Sequence, residues 1–178
     1  MFFLYIYTKF VSMEKKLLVG VLGNPGSGKT TTWKTLFQKN VHTGKHVRYV
    51  LINETKIPVF LINRAPLERK TNLEYILPDN DPQIVLSSFL YHKDVKKNFD
   101  FFITKGYELY IIWLNPGYSD VDEKDLFYNT GIINYLLSNE ACVSVKSSKK
   151  LPELRVNEIK SYIYSWYITN NKQILNSL

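Results

Sequence analysis

Apolar positions along this chain follow two rhythms, and the switches between them mark out the elements. Residues 17–22 (Leu-Leu-Val-Gly-Val-Leu) are an unbroken apolar run, the pattern of a strand covered on both faces. From 30 to 39 the rhythm changes, with Trp33, Leu36 and Phe37 on one side of a predicted helix. Two β-rich runs follow at 46–53 and 57–63, and the short gap of Glu54, Thr55 and Lys56 predicts an antiparallel hairpin. A short helix over 67–77 ends before Pro78, a strand covers 84–89, and a helix over 93–105 stops at Gly106. Residues 107–114 read as a strong strand and 115–120 as a turn. A helix over 132–139, a short strand over 141–145 and a closing helix over 152–168 complete the series.

Strands alternating with helices predict an α/β fold: a three-layer sandwich with a mostly parallel sheet and a β-hairpin after the first helix. In such a sheet, ligands lie beyond the carboxyl ends of the strands. The 178 residues suit one domain, and no linker, internal repeat or low-complexity tract divides them. We expect a single domain over 13–178. Residues 1–12 are apolar, but they lack a basic leader and a small-residue cleavage site, so a secretory signal fits them poorly. Met13 opens a charged start that feeds the first strand, so 1–12 read as an N-terminal extension.

Composition narrows the classes. With 45% apolar and 15% aromatic residues, too much of the chain can be buried for intrinsic disorder. No run approaches the roughly 20 apolar residues of a membrane span, so no membrane partner is expected. Cys142 is the single cysteine, which excludes an internal disulfide framework and cysteine-cluster zinc and fits a reducing, cytoplasmic interior. The net charge of +7 favours polyanionic ligands such as nucleotides, and more weakly nucleic acid, because the lysines are scattered without a dense basic run.

The densest chemistry lies at Gly23, Asn24, Pro25, Gly26, Ser27, Gly28, Lys29 and Thr30, which fit G-x-x-x-x-G-K-[ST] between a predicted strand and a predicted helix. Glycines there permit close backbone approach, so that successive N–H groups surround phosphates at the positive end of a helix. These residues resemble the Walker A motif of the P-loop nucleoside triphosphatase superfamily. The resemblance implies that Lys29 would reach the β- and γ-phosphates as a point charge, that the Thr30 hydroxyl would ligate Mg²⁺, and that Thr31 would lie near the α-phosphate. The resemblance is firm over the first strand–loop–helix unit and extends to the rest only by element order. It implies ATP or GTP with Mg²⁺ as cofactors.

The usual second feature of that superfamily, an aspartate ending an apolar strand, is missing. The predicted strands end in Asn63, in Ser87 and Ser88, and in Asn115. Substitutes are Asn63, Ser87 or Ser88, and Glu54 beside the second strand; each is equally read as a turn or backbone-bonded residue. Phosphoryl transfer also needs a cation to balance charge on the moving group. The arginines are Arg48, Arg64, Arg69 and Arg155. Arg64 and Arg69 follow directly on the third β-rich run and rank first, with surface pairing to Glu68 or Glu74 as the plain alternative. Arg48 and Arg155 rank lower. Asp120, Asp122, Glu123 and Asp125 form an acidic stretch read as a solvated loop or a lid, and the terminal Tyr162, Tyr164, Trp166 and Tyr167 read as helix packing rather than base stacking.

Three functions compete. The first is a kinase-like enzyme that transfers a phosphoryl group from ATP to a small-molecule or nucleotide acceptor through Lys29, Arg64, Arg69 and Glu54. Against it, the stretch after 114 carries no lid arginines. The second is a hydrolase or GTPase-like switch without an acceptor, for which the hairpin and Asn115 speak, while Pro116-Gly117 breaks the guanine-recognition pattern. The third is a nucleotide-sensing binding module, of the kind carried by phages, plasmids and defence systems, acting beside a protein or nucleic-acid partner.

Overall fold

Six strands order themselves as β2-β3-β4-β1-β5-β6 in a computed structural model that describes residues 14–121 and 130–175. The strands are β1 (Lys16–Gly23), β2 (Arg48–Ile52), β3 (Thr55–Ile62), β4 (Ile84–Leu90), β5 (Tyr107–Leu114) and β6 (Cys142–Lys146). Only β2 and β3 pair antiparallel; β3–β4, β4–β1, β1–β5 and β5–β6 are parallel. The helices are α1 (Lys29–Phe37), α2 (Pro66–Arg69), α3 (Lys96–Thr104), α4 (Ile132–Ser138) and α5 (Pro152–Leu175). The predicted α/β class is therefore observed. Residues 1–12, and Asp122, Glu123 and Asp125 of the acidic stretch, lie outside the described residues.

The apolar run at 17–22 becomes the central strand because helices cover both of its faces. Leu17, Val19 and Val21 face Trp33 and Leu36 of α1 and Val156, Ile159, Ile163 and Trp166 of α5. Leu18 and Leu22 face Phe99 and Phe102 of α3 and Ile132 and Leu136 of α4. Fully burying side chains of this size stabilises by about 1.5–3 kcal/mol each. Gly20 lets the second face close, since a Cβ there would stand 2.5 Å from Ile111 Cδ1 and 2.9 Å from Phe89 Cε2.

The end of the chain packs as its spacing predicts. Tyr162 stacks on Tyr110 with ring centroids 3.8 Å apart, and Trp166 Nε1 donates to Glu108 at 2.8 Å. Glu158 joins β5, β6 and α5, accepting from Tyr110 (2.8 Å) and Ser144 (2.6 Å) and pairing with Lys146. Burial alone would raise the Glu158 pKa, but Lys146, Ser144 and Tyr110 outweigh it and hold the carboxyl below its ordinary value.

Two boundaries differ from expectation. The predicted helix over 67–77 breaks at Lys70, whose φ of 51° is left-handed, and resumes as a 3₁₀ turn at Leu73–Tyr75. Strand β4 continues to Leu90, so Ser87 and Ser88 lie inside the sheet in register with Gly20 and Val21. Among the described residues, no helix is long and apolar enough to cross a membrane.

Candidate functional site

The carboxyl end of β1 turns through 24–28 into α1. Gly26 (φ 72°) and Gly28 (φ 97°) take left-handed conformations that side chains rarely adopt, and Gly28 caps the helix. No side chain caps α1 and no acidic residue lies in its first turn. Its leading N–H groups and the positive end of its dipole are therefore left for an anion.

Most of the loop's carbonyls, by contrast, are already taken. Lys29 Nζ donates to Gly23 O (2.9 Å) and Asn24 O (2.8 Å), Ser119 Oγ to Gly26 O (3.2 Å), Tyr118 N to Ser27 O (3.2 Å), and Thr32 Oγ1 to Gly28 O (3.1 Å). The Ser27 hydroxyl is buried without a partner. The segment after β5 acts as a clasp. Asp120 accepts from Gly117 N (2.8 Å) and from Asn24 Nδ2 (3.3 Å), and Pro116 O accepts from Ser148 N (2.9 Å). Asp120 thus braces the glycine loop, where the acidic stretch of sequence predicts a solvated or lid residue.

Lys29 is 7% exposed, and its third acceptor is Glu68 Oε1 at 3.2 Å. Burial pulls the Lys29 pKa below its ordinary value; the Glu68 and Asp120 carboxylates oppose that shift without cancelling it. Loop and lysine form one wall of a cavity of about 600 Å³. Lys29, Lys149, Lys150 and Arg155 line it against the single carboxylate of Glu68, among the described residues. This balance selects an anion, and the volume suits a ligand of nucleotide size.

Asn24, Pro25, Gly26, Ser27, Gly28, Lys29, Thr30 and Thr31 are brought to the loop and the start of α1, with Thr30 and Thr31 exposed on the cavity wall. Arg64 and Arg69 are not brought to the cavity; both are exposed, and the cavity's arginine is Arg155, 3% exposed, from the first turn of α5. Its Nε donates to Thr32 Oγ1 at 2.8 Å across 123 residues of chain. Glu54 is corrected more sharply. With Asn53 it forms the two-residue hairpin turn between paired Ile52 and Thr55, both turn residues at positive φ. That turn is at the amino end of β3, the length of an eight-residue strand, roughly 23 Å, from the end facing the loop.

The expected strand-end substitutes are occupied elsewhere. Ser88 Oγ accepts from Trp33 Nε1 at 2.9 Å, and Ser87 Oγ donates to Ser88 O at 3.4 Å. Asn63 Nδ2 donates to Val41 O at 2.8 Å, and its Oδ1 is buried without a partner. Among the described residues, no group of three or more His, Cys, Asp or Glu side chains is placed to hold a metal ion.

Glu68, which the sequence offers only as a surface partner of Arg64 or Arg69, and Arg155, which it ranks below them, are the charged residues that the fold brings to the cavity. The signal for both was positional: each follows a parallel strand, β3 and β6, at the edge where ligands collect. No protein-family model, curated protein or solved structure matches the chain.

Proposed function

We propose that this chain binds a nucleoside triphosphate, ATP or GTP, together with Mg²⁺, and hydrolyses its terminal phosphoanhydride. The observation that carries the reading is the buried Lys29, held by two glycine-loop carbonyls against Glu68 in a cavity whose charged lining is four cations and one carboxylate. A desolvated lysine with two carbonyls and one carboxylate is poised for exchange. Triphosphate oxygens replace these acceptors, restore the charge balance that burial disturbs, and release Glu68.

The loop's N–H groups and the first turn of α1 hold the phosphate chain, and Lys29 neutralises charge on its distal end. Thr30 would help hold a Mg²⁺ ion brought in with the phosphates, and the ion would supply Lewis-acid stabilisation of the leaving oxygens. Glu68 orients a water and accepts its proton as the water oxygen bonds to the γ-phosphorus and the bond to the bridging oxygen breaks. The products are nucleoside diphosphate, phosphate and a proton. Water is favoured over a bound acceptor because the cavity has the volume for one nucleotide. Three smaller cavities are lined from Thr35, Gln38 and Glu153, from Glu14 and Val47, or from Tyr49 and Leu51, and none of these three includes a residue of the loop.

The test is a chromatographic product profile with ATP or GTP, Mg²⁺ and a pool of nucleosides and nucleoside monophosphates. Diphosphate and free phosphate are expected, falling at least 100-fold in Lys29→Ala and Glu68→Gln. A phosphorylated acceptor would replace hydrolysis by the kinase-like reading. Nucleotide binding without turnover would favour the sensing module, and no binding at all would remove the site.

A further inference from the structure

We infer that Arg155 and Ser148 hold the phosphate next to the nucleoside, so that the bound nucleotide lies with its terminal phosphate toward β3 and its nucleoside toward β6. This rests on the nucleotide reading above and adds a direction and a second anion contact to it. The direction follows from strand order. In β2-β3-β4-β1-β5-β6, β3 and β6 each lie two strands from β1 and on opposite sides, roughly 10 Å away. Glu68 enters from the β3 side and meets Lys29, whereas Ser148 and Arg155 enter from the β6 side.

The contact itself is built around Gly28. The position a Cβ would take on Gly28 is 2.9 Å from Ser148 Oγ and 3.5 Å from Arg155 Nη2, so both donors crowd the bare face of that glycine. Ser148 is 6% exposed and its hydroxyl has no hydrogen-bond partner. Buried hydroxyls are seldom left so, and this one lines the ligand cavity beside a guanidinium and the open start of α1. The arginine is aimed by Thr32, which accepts from Nε at 2.8 Å and leaves the forked end of the guanidinium for the cavity. Three elements therefore converge hydroxyl, guanidinium and backbone donors on one spot beside Gly28. On this arrangement Arg155 is a ground-state anchor and not the cation that stabilises the moving γ-phosphoryl group.

The affinities of ATP and ADP with Mg²⁺, and kcat for ATP, separate the two roles. Measurements on the full chain would use wild type, Arg155→Gln, Arg155→Lys and Ser148→Ala, each with its thermal melt. The expected result is that Arg155→Gln weakens ATP and ADP alike by at least tenfold while kcat at saturation stays within about threefold. Arg155→Lys should recover part of the affinity. Ser148→Ala, which adds no bulk and removes no existing bond, should weaken both nucleotides severalfold with an unchanged melt, which keeps the test valid should Arg155→Gln unfold. Unchanged ADP affinity with a collapse of kcat would overturn the proposal by placing Arg155 at the terminal phosphoryl group. Wild-type affinity in both Ser148→Ala and Arg155→Gln would also overturn it. Failure of the wild type to bind either nucleotide would instead overturn the reading on which it rests.

Discussion

Lys16 opens β1 and pairs with Asp81 at 3.3 Å, while Lys29 follows its far end and pairs with Glu68 at 3.2 Å, so two ion pairs of similar length bracket one strand. Their surroundings differ. At the amino end Asp81 also accepts from Lys105 at 2.8 Å, and Lys16 lies over the Tyr107 ring and Lys105 over Phe101. Burial alone would raise the Asp81 pKa, but the two lysines outweigh it and the carboxyl sits below its ordinary value. One acid there serves two cations, with water close by. At the carboxyl end one buried cation is shared among two carbonyls and one acid, and its charged form is disfavoured by burial. The first arrangement is settled and fastens the sheet. On the proposed nucleotide reading, the second leaves a cation whose best partner is a ligand, so ion pairs are to be judged by desolvation and not by length.

The sharpest way to break this contrast is to remove each lysine or its acid in turn. Lys29→Ala should lower nucleotide affinity at least tenfold, about 1.4 kcal/mol, and turnover by about 10²–10³. Glu68→Gln should cut turnover about 100-fold yet leave nucleotide affinity equal or improved, because it removes the acid that competes for Lys29. Calorimetric titration against steady-state rates would separate these effects; weaker binding in Glu68→Gln would contradict the exchange.

At the other end, Asp81→Asn should leave turnover unchanged and lower stability by no more than about 1 kcal/mol, since the pairs are partly solvated. The pH sign follows from the depressed pKa. The stability Asp81 contributes is present above its unfolded value of about 3.8 and is lost as pH falls through the lower folded value. Wild type and Asp81→Asn should therefore converge in acid, as followed by denaturant melts. The smallest effect belongs to the hairpin turn: Glu54→Gly, at φ 63°, should stabilise by about 0.4–1 kcal/mol without touching turnover.

The strand, glycine loop and first helix were legible because their signal is local. The motif, the apolar run before it and the helical spacing after it all lie between 17 and 39. The layers were legible from periodicity as well, down to the stripe of Ile159, Ile163 and Trp166 on α5. Strand order was not, since nothing in the rhythm of 84–90 shows that β4 separates β1 from β3. Ser87 and Ser88 read as strand-end candidates, but β4 runs on to Leu90 and buries them beside β1. Glu54 misled because a turn beside a strand reads alike at either end until pairing is known. Arg155 and Glu68 were hidden for the opposite reason: they reach the loop only through tertiary folding, from helices that follow β6 and β3.

The most direct measurement is a calorimetric titration of a non-hydrolysable ATP analogue with Mg²⁺ into wild type, Lys29→Ala and Lys105→Ala. The account predicts one site per chain, binding weakened at least tenfold in Lys29→Ala and unchanged in Lys105→Ala. Equal affinity in wild type and Lys29→Ala, or an equal loss in Lys105→Ala, would contradict it.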